Sequence, residues 1–408
     1  MAKCAPKLAP TVLILVRYFV PAYKAGGPVR TLEAIIQRLS ESYQFKVLAL
    51  DRDLGDHSPF PEIRANQWNR VGAAEVFYLR PGFASSLHLL KAIKNTDFDV
   101  LYVNSFFDSV FTLVPLLARR LGRIRNKAVI VAPRGELSPG ALAQKRAKKS
   151  AFLAIARRLG LYRNVTWHAS SPLEKAEIME SLSNLGGMAA NELRLHVARD
   201  LASLKLPVAS ALPPKSAGRL RAVFVSRVSP KKNLLGAVEL LSRVQGDVSL
   251  DIYGPIDDQD YWRKCQHAIE QFGGTTRVAY KGAIHHDEVV RVLSDYDVFL
   301  FPTLGENFGH VILEAMIAGC PVVTSDQTPW RDLRAKNAGW DLSLAAPDRF
   351  VETLQRLADM GEEEHRRLRE GARALGAATA NDEQAVRDNL RLFAEALVAD
   401  GGHAASGQ

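Results

Sequence analysis

Short runs of β-branched and other apolar residues alternate along the chain with stretches whose apolar residues recur at helical spacing. One such stripe is formed by Leu32, Ile35, Ile36 and Leu39, at positions i, i+3, i+4 and i+7. The apolar runs predict buried strands at 11–16, 45–50, 100–104, 128–133, 165–170, 221–226, 248–254, 277–282, 298–303 and 321–325. This alternation predicts an α/β fold of parallel sheets covered by helices.

The length of 408 residues favours two such units over one. Residues 204–218 hold three prolines with Ser and Ala and show no periodicity, which predicts a linker between Rossmann-like domains at 1–203 and 219–382. A final helix is predicted at 383–400, where it could pack back on the first domain, and the small residues of 401–408 predict a disordered tail. Two doubly wound domains facing each other would form a ligand cleft at the carboxyl ends of both sheets.

Composition places the chain among ordinary globular proteins, with 47% hydrophobic and 24% charged residues. Cys4, Cys265 and Cys320 are odd in number and widely spaced, so neither a disulfide framework nor a structural zinc site is expected. The apolar run at 11–16 is far shorter than the roughly 20 residues that span a membrane. These features predict a protein of the cytoplasm, without a membrane anchor.

The net charge of +9 comes from one segment. Residues 119–163 hold 13 basic side chains against a single acid, Glu136, whereas 40 basic and 43 acidic residues make up the rest. Charges of both signs normally mix on a solubilising surface, so this excess predicts an anionic partner. A solvated helix surface is the alternative. No nucleic-acid module accompanies the segment, which favours an anionic membrane surface over nucleic acid.

The most informative motif covers 301–325, FPTLGENFGHVILEAMIAGCPVVTS. A predicted strand enters a loop with Gly and Asn, and a helix follows over about 309–319. A helix N terminus at such a loop offers amide groups and a positive dipole end to a phosphate or a sugar hydroxyl. Glu306 in the loop and Glu314 in the helix would contact different parts of one ligand. The alternative is a buried βαβ unit in which Glu306 only accepts hydrogen bonds from loop amides.

Two further loops carry candidate binding residues. Arg227 and Lys232 follow the predicted strand at 221–226, and two cations at a strand's carboxyl end suit a diphosphate leaving group whose charge must be neutralised. A solvated turn is the alternative for them. Near the N terminus, Gly26 and Gly27 permit a close backbone approach to a ligand. There is no G-x-G-x-x-G pattern, which argues against a nicotinamide or flavin cofactor.

The segment GENFGHVILEA, the upstream SRVSPKKN and the AGGP loop together resemble glycosyltransferase family 4, whose members are retaining enzymes of the GT-B fold. The resemblance covers both halves in the same order and is strongest over 221–340. Within the family, the segments PRGELSPGALAQKRAKK and TPWRDL make the chain most similar to the branch that builds bacterial surface polysaccharides. The resemblance implies transfer of a hexose from a nucleotide-diphosphate sugar to a glycan acceptor. Docking of 119–163 on an anionic membrane would suit a lipid-linked acceptor of bacterial polysaccharide synthesis.

The resemblance also implies residue roles. Arg227 and Lys232 would hold the donor diphosphate, Glu314 would bond the ribose, and Gly27, beside Gly26, would lie against the diphosphate across the cleft. No cofactor is implied beyond the nucleotide-sugar substrate.

For the donor sugar, the resemblance implies that Glu306 and the backbone of Asn307, Phe308 and Gly309 hold its hydroxyls. Transfer would proceed by front-face attack, in which a donor phosphate oxygen helps to take the acceptor proton, so no protein nucleophile is required. The predicted catalytic residues are therefore Arg227, Lys232 and Glu306.

Three D-x-D triplets could suggest a metal, but the pairs at 97/99 and 295/297 precede their strands, on the side away from the expected cleft. Only Asp51 and Asp53 follow a strand. Because the GT-B resemblance implies no metal, none is predicted.

Many members of the family place a His after the fourth strand of the first domain, where this chain has Arg134. Arg134 is therefore a candidate sugar or acceptor contact. His168, on the next strand, is a second candidate, with a hydrogen-bonded core histidine as the alternative.

Two other functions are compatible with these motifs. A GT-B nucleotide-sugar epimerase would convert its sugar with no acceptor present. A basic membrane-binding or nucleic-acid-binding protein without catalysis would not depend on Lys232 or Glu306. The favoured prediction is a cytoplasmic transferase, peripheral on the inner face of the plasma membrane through 119–163.

Overall fold

The computed structural model describes residues 9–82, 84–143, 146–184, 193–202, 214–271 and 276–404. Most of the predicted linker, the last four residues of the predicted tail, and Cys4 lie outside the described residues. The chain forms two compact units, the first made of 1–204 with 383–408 and the second of 205–382. Each unit is a parallel α/β structure, and the predicted α/β class is confirmed.

In the described residues of the first unit, eight strands form a sheet in the order β3-β4-β2-β1-β5-β6-β7-β8, with only β3 antiparallel to its neighbour. The strands are β1 (Thr11–Leu15), β2 (Gln44–Leu50), β3 (Trp68–Val71), β4 (Ala74–Leu79), β5 (Val100–Val103), β6 (Ala128–Val131), β7 (Thr166–Ala169) and β8 (Arg194–Val197). β1 is a central strand. β2 to β4 lie on one side of it, and β5 to β8 lie on the other side. The topological switch point therefore lies between β1 and β5.

Helices cover both faces of this sheet because successive strand residues point to opposite faces. Val12 and Ile14 belong to one core layer, and Leu13 and Leu15 to the other. The helices of this unit are α1 (Gly27–Leu39), α2 (Ser85–Lys94), α3 (Val114–Arg120), α4 (Pro139–Ala143), α5 (Arg146–Arg158), α6 (Pro172–Asn184) and α13 (Glu383–Ala404).

The C-terminal helix α13 belongs to the first core, although it follows the second unit in the chain. Phe393 is fully buried there and contacts the rings of Tyr43, Phe45 and Tyr102 at centroid distances of 5.3 to 6.4 Å. Asn389 donates a hydrogen bond to the Arg199 carbonyl at 2.8 Å. The apolar side of α13 thus completes the layer that α1 begins.

The second unit has six parallel strands in its described part, in the order β11-β10-β9-β12-β13-β14. They are β9 (Arg219–Val225), β10 (Asp247–Tyr253), β11 (Arg277–Gly282), β12 (Val298–Phe301), β13 (Val322–Ser325) and β14 (Gly339–Leu342). Its helices are α7 (Leu234–Leu241), α8 (Gln259–Glu270), α9 (His286–Ser294), α10 (His310–Ile317), α11 (Pro347–Asp359) and α12 (Glu362–Ala380). The switch point here lies between β9 and β12.

Helix α12 packs closely behind α10. A Cβ atom on Gly376 would lie 2.7 Å from the Ile317 backbone nitrogen, so only glycine permits this approach. No helix in the described part of the chain is long and apolar enough to cross a membrane.

Candidate functional site

Strands β9 and β12 place two candidate loops side by side at the switch point of the second unit. Ala222 pairs with Val298 and Val223 with Phe299, so the loops that follow these strands leave the same edge of the sheet. Ligands of open α/β sheets bind at the carboxyl edge where the strand order reverses. The loop after β9 carries Arg227 and Lys232, and the loop after β12 carries Glu306.

Lys232 and Glu306 form an ion pair between these two loops. Lys232 Nζ lies 2.6 Å from Glu306 Oε1, and the two side chains are only 15% and 12% exposed. Thr303 Oγ1 donates a second hydrogen bond to the same carboxylate oxygen at 3.1 Å. The cation and the acid that the sequence gives as separate candidates are therefore in direct contact.

Hydrogen bonds hold the two loops in register. Asn233, in the left-handed conformation at φ 57°, caps α7 and donates from its side chain to the Pro302 carbonyl at 2.8 Å. The Leu304 amide donates to the Lys231 carbonyl at 2.9 Å, and the Glu306 amide donates to the Gln327 carbonyl at 3.0 Å. The loop conformation is thus fixed by contacts within the unit.

Gly309 sets the entry of the chain into α10. Its φ of 80° lies in the left-handed region, where a side chain would be strained, and no side chain caps the helix. The N terminus of α10 therefore presents the positive end of its dipole at this loop.

Trp330 holds Phe308 in place. From the sequence, Trp330 is assigned no role of its own and is included only in the segment TPWRDL. Trp330 Nε1 donates to the Phe308 carbonyl at 2.5 Å, and the two rings lie 5.5 Å apart. Both side chains are 8% exposed.

The side-chain nitrogen of Asn307, the residue before Phe308, is buried and has no hydrogen-bond partner among the described residues. A buried donor without a partner is costly, so it is available to a ligand oxygen.

Glu314 and Arg227 complete the set of predicted residues in this unit. The Glu314 carboxylate lies 3.5 Å from Nδ1 of His286, a residue at the start of α9 that sequence reasoning missed. Arg227 contacts Asp257 at 3.0 Å, and both side chains are more than a third exposed. Arg227 is thus the more accessible of the two predicted cations.

In the first unit, Gly26 and Gly27 lie at the start of α1, after the switch-point strand β1. Gly26 has a φ of 75°, and a Cβ atom placed on it would meet nothing within 4 Å. Asp53 Oδ2 accepts hydrogen bonds from the backbone amides of Tyr23 and Lys24 at 2.7 and 3.0 Å. A carboxylate of the D-x-D pair therefore positions the glycine loop.

The second carboxylate of that pair, Asp51, accepts a hydrogen bond from Arg52 Nε at 2.9 Å. In the described ranges, no group of three or more His, Cys, Asp or Glu side chains could hold a metal ion.

Arg134 and His168 lie in one buried polar cluster at the carboxyl ends of β5, β6 and β7. Arg134 is 7% exposed and forms an ion pair with Asp200 at 2.5 Å. It also donates to Asn104 Oδ1 at 2.8 Å and to Tyr102 Oη at 2.6 Å. Its φ of 56° is in the left-handed region, and these contacts hold it there. A sugar contact by Arg134 would require this cluster to open.

Both ring nitrogens of His168 are hydrogen-bonded within the core. Tyr102 Oη lies 2.7 Å from Nδ1, and the Ala198 carbonyl lies 2.8 Å from Nε2. Because the guanidinium of Arg134 can only donate, Tyr102 uses its own hydrogen toward Nδ1, and Nε2–H donates to the carbonyl. Burial lowers the pKa of His168 to about 3, so the ring is neutral. The structure therefore favours the core alternative for His168.

The basic segment 119–163 forms a smaller charged surface than its composition predicts. Arg134 is buried, and Arg125 and Lys127 contact Asp97 and Asp99. The exposed basic residues among those whose side chains are described are Arg120, Arg123, Arg125, Lys148, Arg157, Arg158 and Arg163. Exposed apolar side chains accompany them, with Leu121 at 64%, Ile155 at 59% and Leu159 at 44% exposure.

One family model matches a large part of the second unit. Residues 213–375 match the family described as glycosyl transferases group 1. This match contains both loops of the β9–β12 switch point.

Solved structures share the fold over nearly the whole chain. Sucrose-phosphate synthase of Thermosynechococcus elongatus superposes with a TM-score of 0.72 at 19% identity, covering 96% of this chain and 100% of that one. HepE of Anabaena, crystallised with UDP and glucose, gives a TM-score of 0.65 at 17% identity over the same shares. The predicted GT-B fold is therefore confirmed.

Curated relatives match over a shorter region. The 2-deoxystreptamine glucosyltransferase of Streptomyces kanamyceticus is 30% identical over 100 residues, which is 24% of this chain and 26% of the relative. O-antigen chain mannosyltransferase B of Escherichia coli is 29% identical over 113 residues, which is 26% and 29% of the two chains. The matched region thus spans little more than a quarter of each relative.

Proposed function

We propose that the chain is a glycosyltransferase that moves a hexose from a nucleotide-diphosphate sugar to a glycan acceptor. The observation that carries this proposal is the Lys232–Glu306 pair, which stands at the switch point of a domain that matches a glycosyltransferase family. The solved structures of HepE with UDP-glucose and with UDP are compatible with such a donor.

The pair suits the charge changes of the reaction. As the bond from the anomeric carbon to phosphate breaks, negative charge grows on the leaving diphosphate, and Lys232 and Arg227 are the cations that would neutralise it.

Other residues of the site would bind the sugar and the ribose. Glu306, held by Thr303, would accept hydrogen bonds from hydroxyls of the sugar. The unpartnered amide of Asn307 and the α10 N terminus would donate to its oxygens, and Glu314 would bond the ribose.

We further assign the chain to the retaining glycosyltransferases of family 4. The acceptor hydroxyl would form the new bond on the face that the diphosphate leaves, and its proton would pass to a phosphate oxygen of the donor. This route needs no protein nucleophile. It also needs no metal, because the cations Lys232 and Arg227 supply the positive charge. Activity should therefore persist in EDTA, and a loss that Mg²⁺ restores would contradict this part of the proposal.

The acceptor proposed here is a glycan on a lipid carrier, in bacterial polysaccharide synthesis. The exposed basic and apolar side chains of 119–163 support it, because they suit an anionic lipid surface. Leu159 directly follows α5, and its amide donates to the Ile155 carbonyl at 2.9 Å, so the two side chains lie on one side, with Arg158 beside them. The enzyme would then work in the cytoplasm, docked on the inner face of the plasma membrane.

Nucleotide sugars added to the purified protein test the proposal. A donor that binds only the folded protein raises the melting temperature, so we expect one UDP-, GDP- or ADP-sugar to stabilise it. Lys232→Ala should remove this shift, whereas Lys264→Ala, an exposed lysine on α8, should retain it. Transfer to a glycan is then followed with the stabilising donor. Conversion of the sugar without an acceptor would instead identify an epimerase, and no stabilisation by any donor would contradict the proposal.

A further inference from the structure

A cavity of about 360 Å³ lies in the first unit, between the β3–β4 edge of the sheet and helix α2. One wall is formed by Trp68 of β3 and Phe77 of β4, and the facing wall by side chains of α2 and the residues that follow it. None of the residues assigned above to the donor lines this cavity.

The aromatic wall is fixed in place but open to solvent. Trp68 and Phe77 are paired in register across the two strands, and their rings meet edge to face at 5.4 Å. Lys46 Nζ lies 5.5 Å from the centre of the Trp68 ring. Trp68 nevertheless remains 38% exposed. A large aromatic side chain that is positioned by neighbours and left open is typical of a binding surface.

Four of the other lining residues carry exposed polar side chains. Asn66, His88, Lys91 and Asn95 are exposed, and their side chains make no hydrogen bond or ion pair with residues in the described ranges. The two amides offer both donors and acceptors. The cavity therefore sets hydrogen-bonding groups opposite an aromatic face.

We propose that this cavity binds a hexose unit of the growing glycan. A pyranose has C–H bonds on its faces and hydroxyls around its rim, which match an aromatic wall and facing amides. An apolar ligand could use the aromatic wall but would form no hydrogen bond with the four polar side chains. A nucleotide would call for more positive charge than Lys91, the one lysine of the lining, supplies. The volume is that of a small-ligand pocket and accommodates one or two sugar rings.

This inference rests on the proposed function, because it gives the acceptor chain a second point of attachment. A second site on one protein raises the effective concentration of a long ligand at the first site. The cavity would therefore increase the affinity of the enzyme for long acceptors and would not change its affinity for an acceptor of one sugar.

Binding is tested by NMR on the full chain, using the indole N–H signal of Trp68, which Trp68→Phe assigns. The probes are maltotriose, a mannose trisaccharide, a galactose trisaccharide and, separately, inorganic phosphate. We expect at least one trisaccharide to shift this signal at millimolar concentration and phosphate to leave it unchanged. A signal that none of the trisaccharides moves, or that only phosphate moves, would overturn the proposal.

Matched variants locate the binding. Trp68→Ala should weaken trisaccharide binding about threefold to tenfold, which is the loss of affinity expected when one aromatic contact is removed. Asn95→Ala tests the opposite wall without touching the aromatic packing, and it should weaken binding as well. Leu87→Ala, on the same helix but outside the cavity and 70% exposed, is the control and should bind normally. Equal binding by all of these variants would place the sugar elsewhere and refute the cavity.

The two proposals can fail separately. In Trp68→Ala, stabilisation by the nucleotide sugar and the KM for that donor should stay unchanged, while the KM for a long acceptor rises. If donor stabilisation is absent in the unaltered protein, the proposed function has failed, whatever the trisaccharides do. If donor stabilisation is present and no trisaccharide binds, only the cavity proposal has failed.

Discussion

The ammonium group of Lys232 lies 2.6 Å from the carboxylate of Glu306, although the two residues are 74 positions apart in the chain. They meet because β9 and β12 are neighbours at the switch point, and because the loops after these strands are hydrogen-bonded to each other. The pair places a cation and an acceptor of hydrogen bonds together at the carboxyl edge of the sheet. In the proposed reaction, the first would face the diphosphate and the second the sugar.

Lys232→Ala and Glu306→Ala should each reduce the rate of sugar transfer by about 10² to 10³, the usual effect of removing one group that stabilises a developing charge. Folding should survive, because both groups lie at the rim of the core and water can solvate the partner that remains. Steady-state kinetics and circular dichroism of the two variants test this. Wild-type turnover in both variants would show that the pair is only structural.

Trp330→Phe should weaken the binding of the donor sugar without abolishing transfer. The ring contact with Phe308 would remain, but the hydrogen bond from Nε1 to the Phe308 carbonyl would be lost. Such a bond contributes about 1 kcal/mol, so we expect the KM for the donor to rise about fivefold.

The control for Trp330→Phe is Trp340→Phe, which leaves the Phe308 carbonyl contact intact. If the two variants have the same donor KM, the hydrogen bond to Phe308 does not position the loop.

Strand positions could be predicted where the sequence carries a run of apolar residues. All ten apolar runs that the sequence gives as strands are strands in the structure. The sequence does not predict β3, β8 and β14, three of the four edge strands, because half-exposed sequences such as WNRV and RLHV lack an apolar run. β4 was also missed, and its apolar run is interrupted by the exposed Glu75.

The site could be predicted only in part, because its contacts depend on strand order. The sequence predicts that the loops of Lys232 and Glu306 bind a ligand, but the direct contact of these residues follows from the pairing of β9 with β12. Counting charges along 119–163 likewise placed Arg134 on a basic surface. In the structure it is buried against Asp200, which is 66 residues away and outside that segment.

The Arg134–Asp200 pair should be essential to the first unit. Asp200→Asn leaves the charge of Arg134 buried without its partner, and the free energy of unfolding should fall by about 3 to 5 kcal/mol. Replacing both residues, with Arg134→Met and Asp200→Leu, removes the unpaired charge and should recover a large part of that loss. The unfolding of the first unit is followed by calorimetry, since the two units need not unfold together.

Additive effects of the Arg134 and Asp200 substitutions would contradict the expected coupling. The matched control is Arg243→Met with Asp348→Leu, an exposed pair whose removal should cost little.

Acid should destabilise the first unit through His168. Its pKa is about 3 in the folded protein and near 6.5 when unfolded, so the unfolded chain binds more protons between these values. The stability that depends on the neutral ring is complete above pH 6.5 and is lost as the pH falls toward 3. His168→Gln should therefore flatten the fall in unfolding free energy over this range, by up to about 1.4 kcal/mol per pH unit. An unchanged slope would mean that other groups govern acid stability.

Membrane docking should depend on the exposed charges of α5. Arg157→Glu with Arg158→Glu should reduce binding to vesicles of anionic phospholipid by more than tenfold, because each basic residue near such a surface contributes about 1 kcal/mol. The control is Lys175→Glu with Lys264→Glu, which changes the net charge equally at exposed sites outside the segment. Cosedimentation at low salt measures binding, and moderate salt should release the unaltered protein, because salt screens the attraction. Since the charge change is the same in both double variants, equal binding by the two would show that net charge, and not this surface, directs the protein to the membrane.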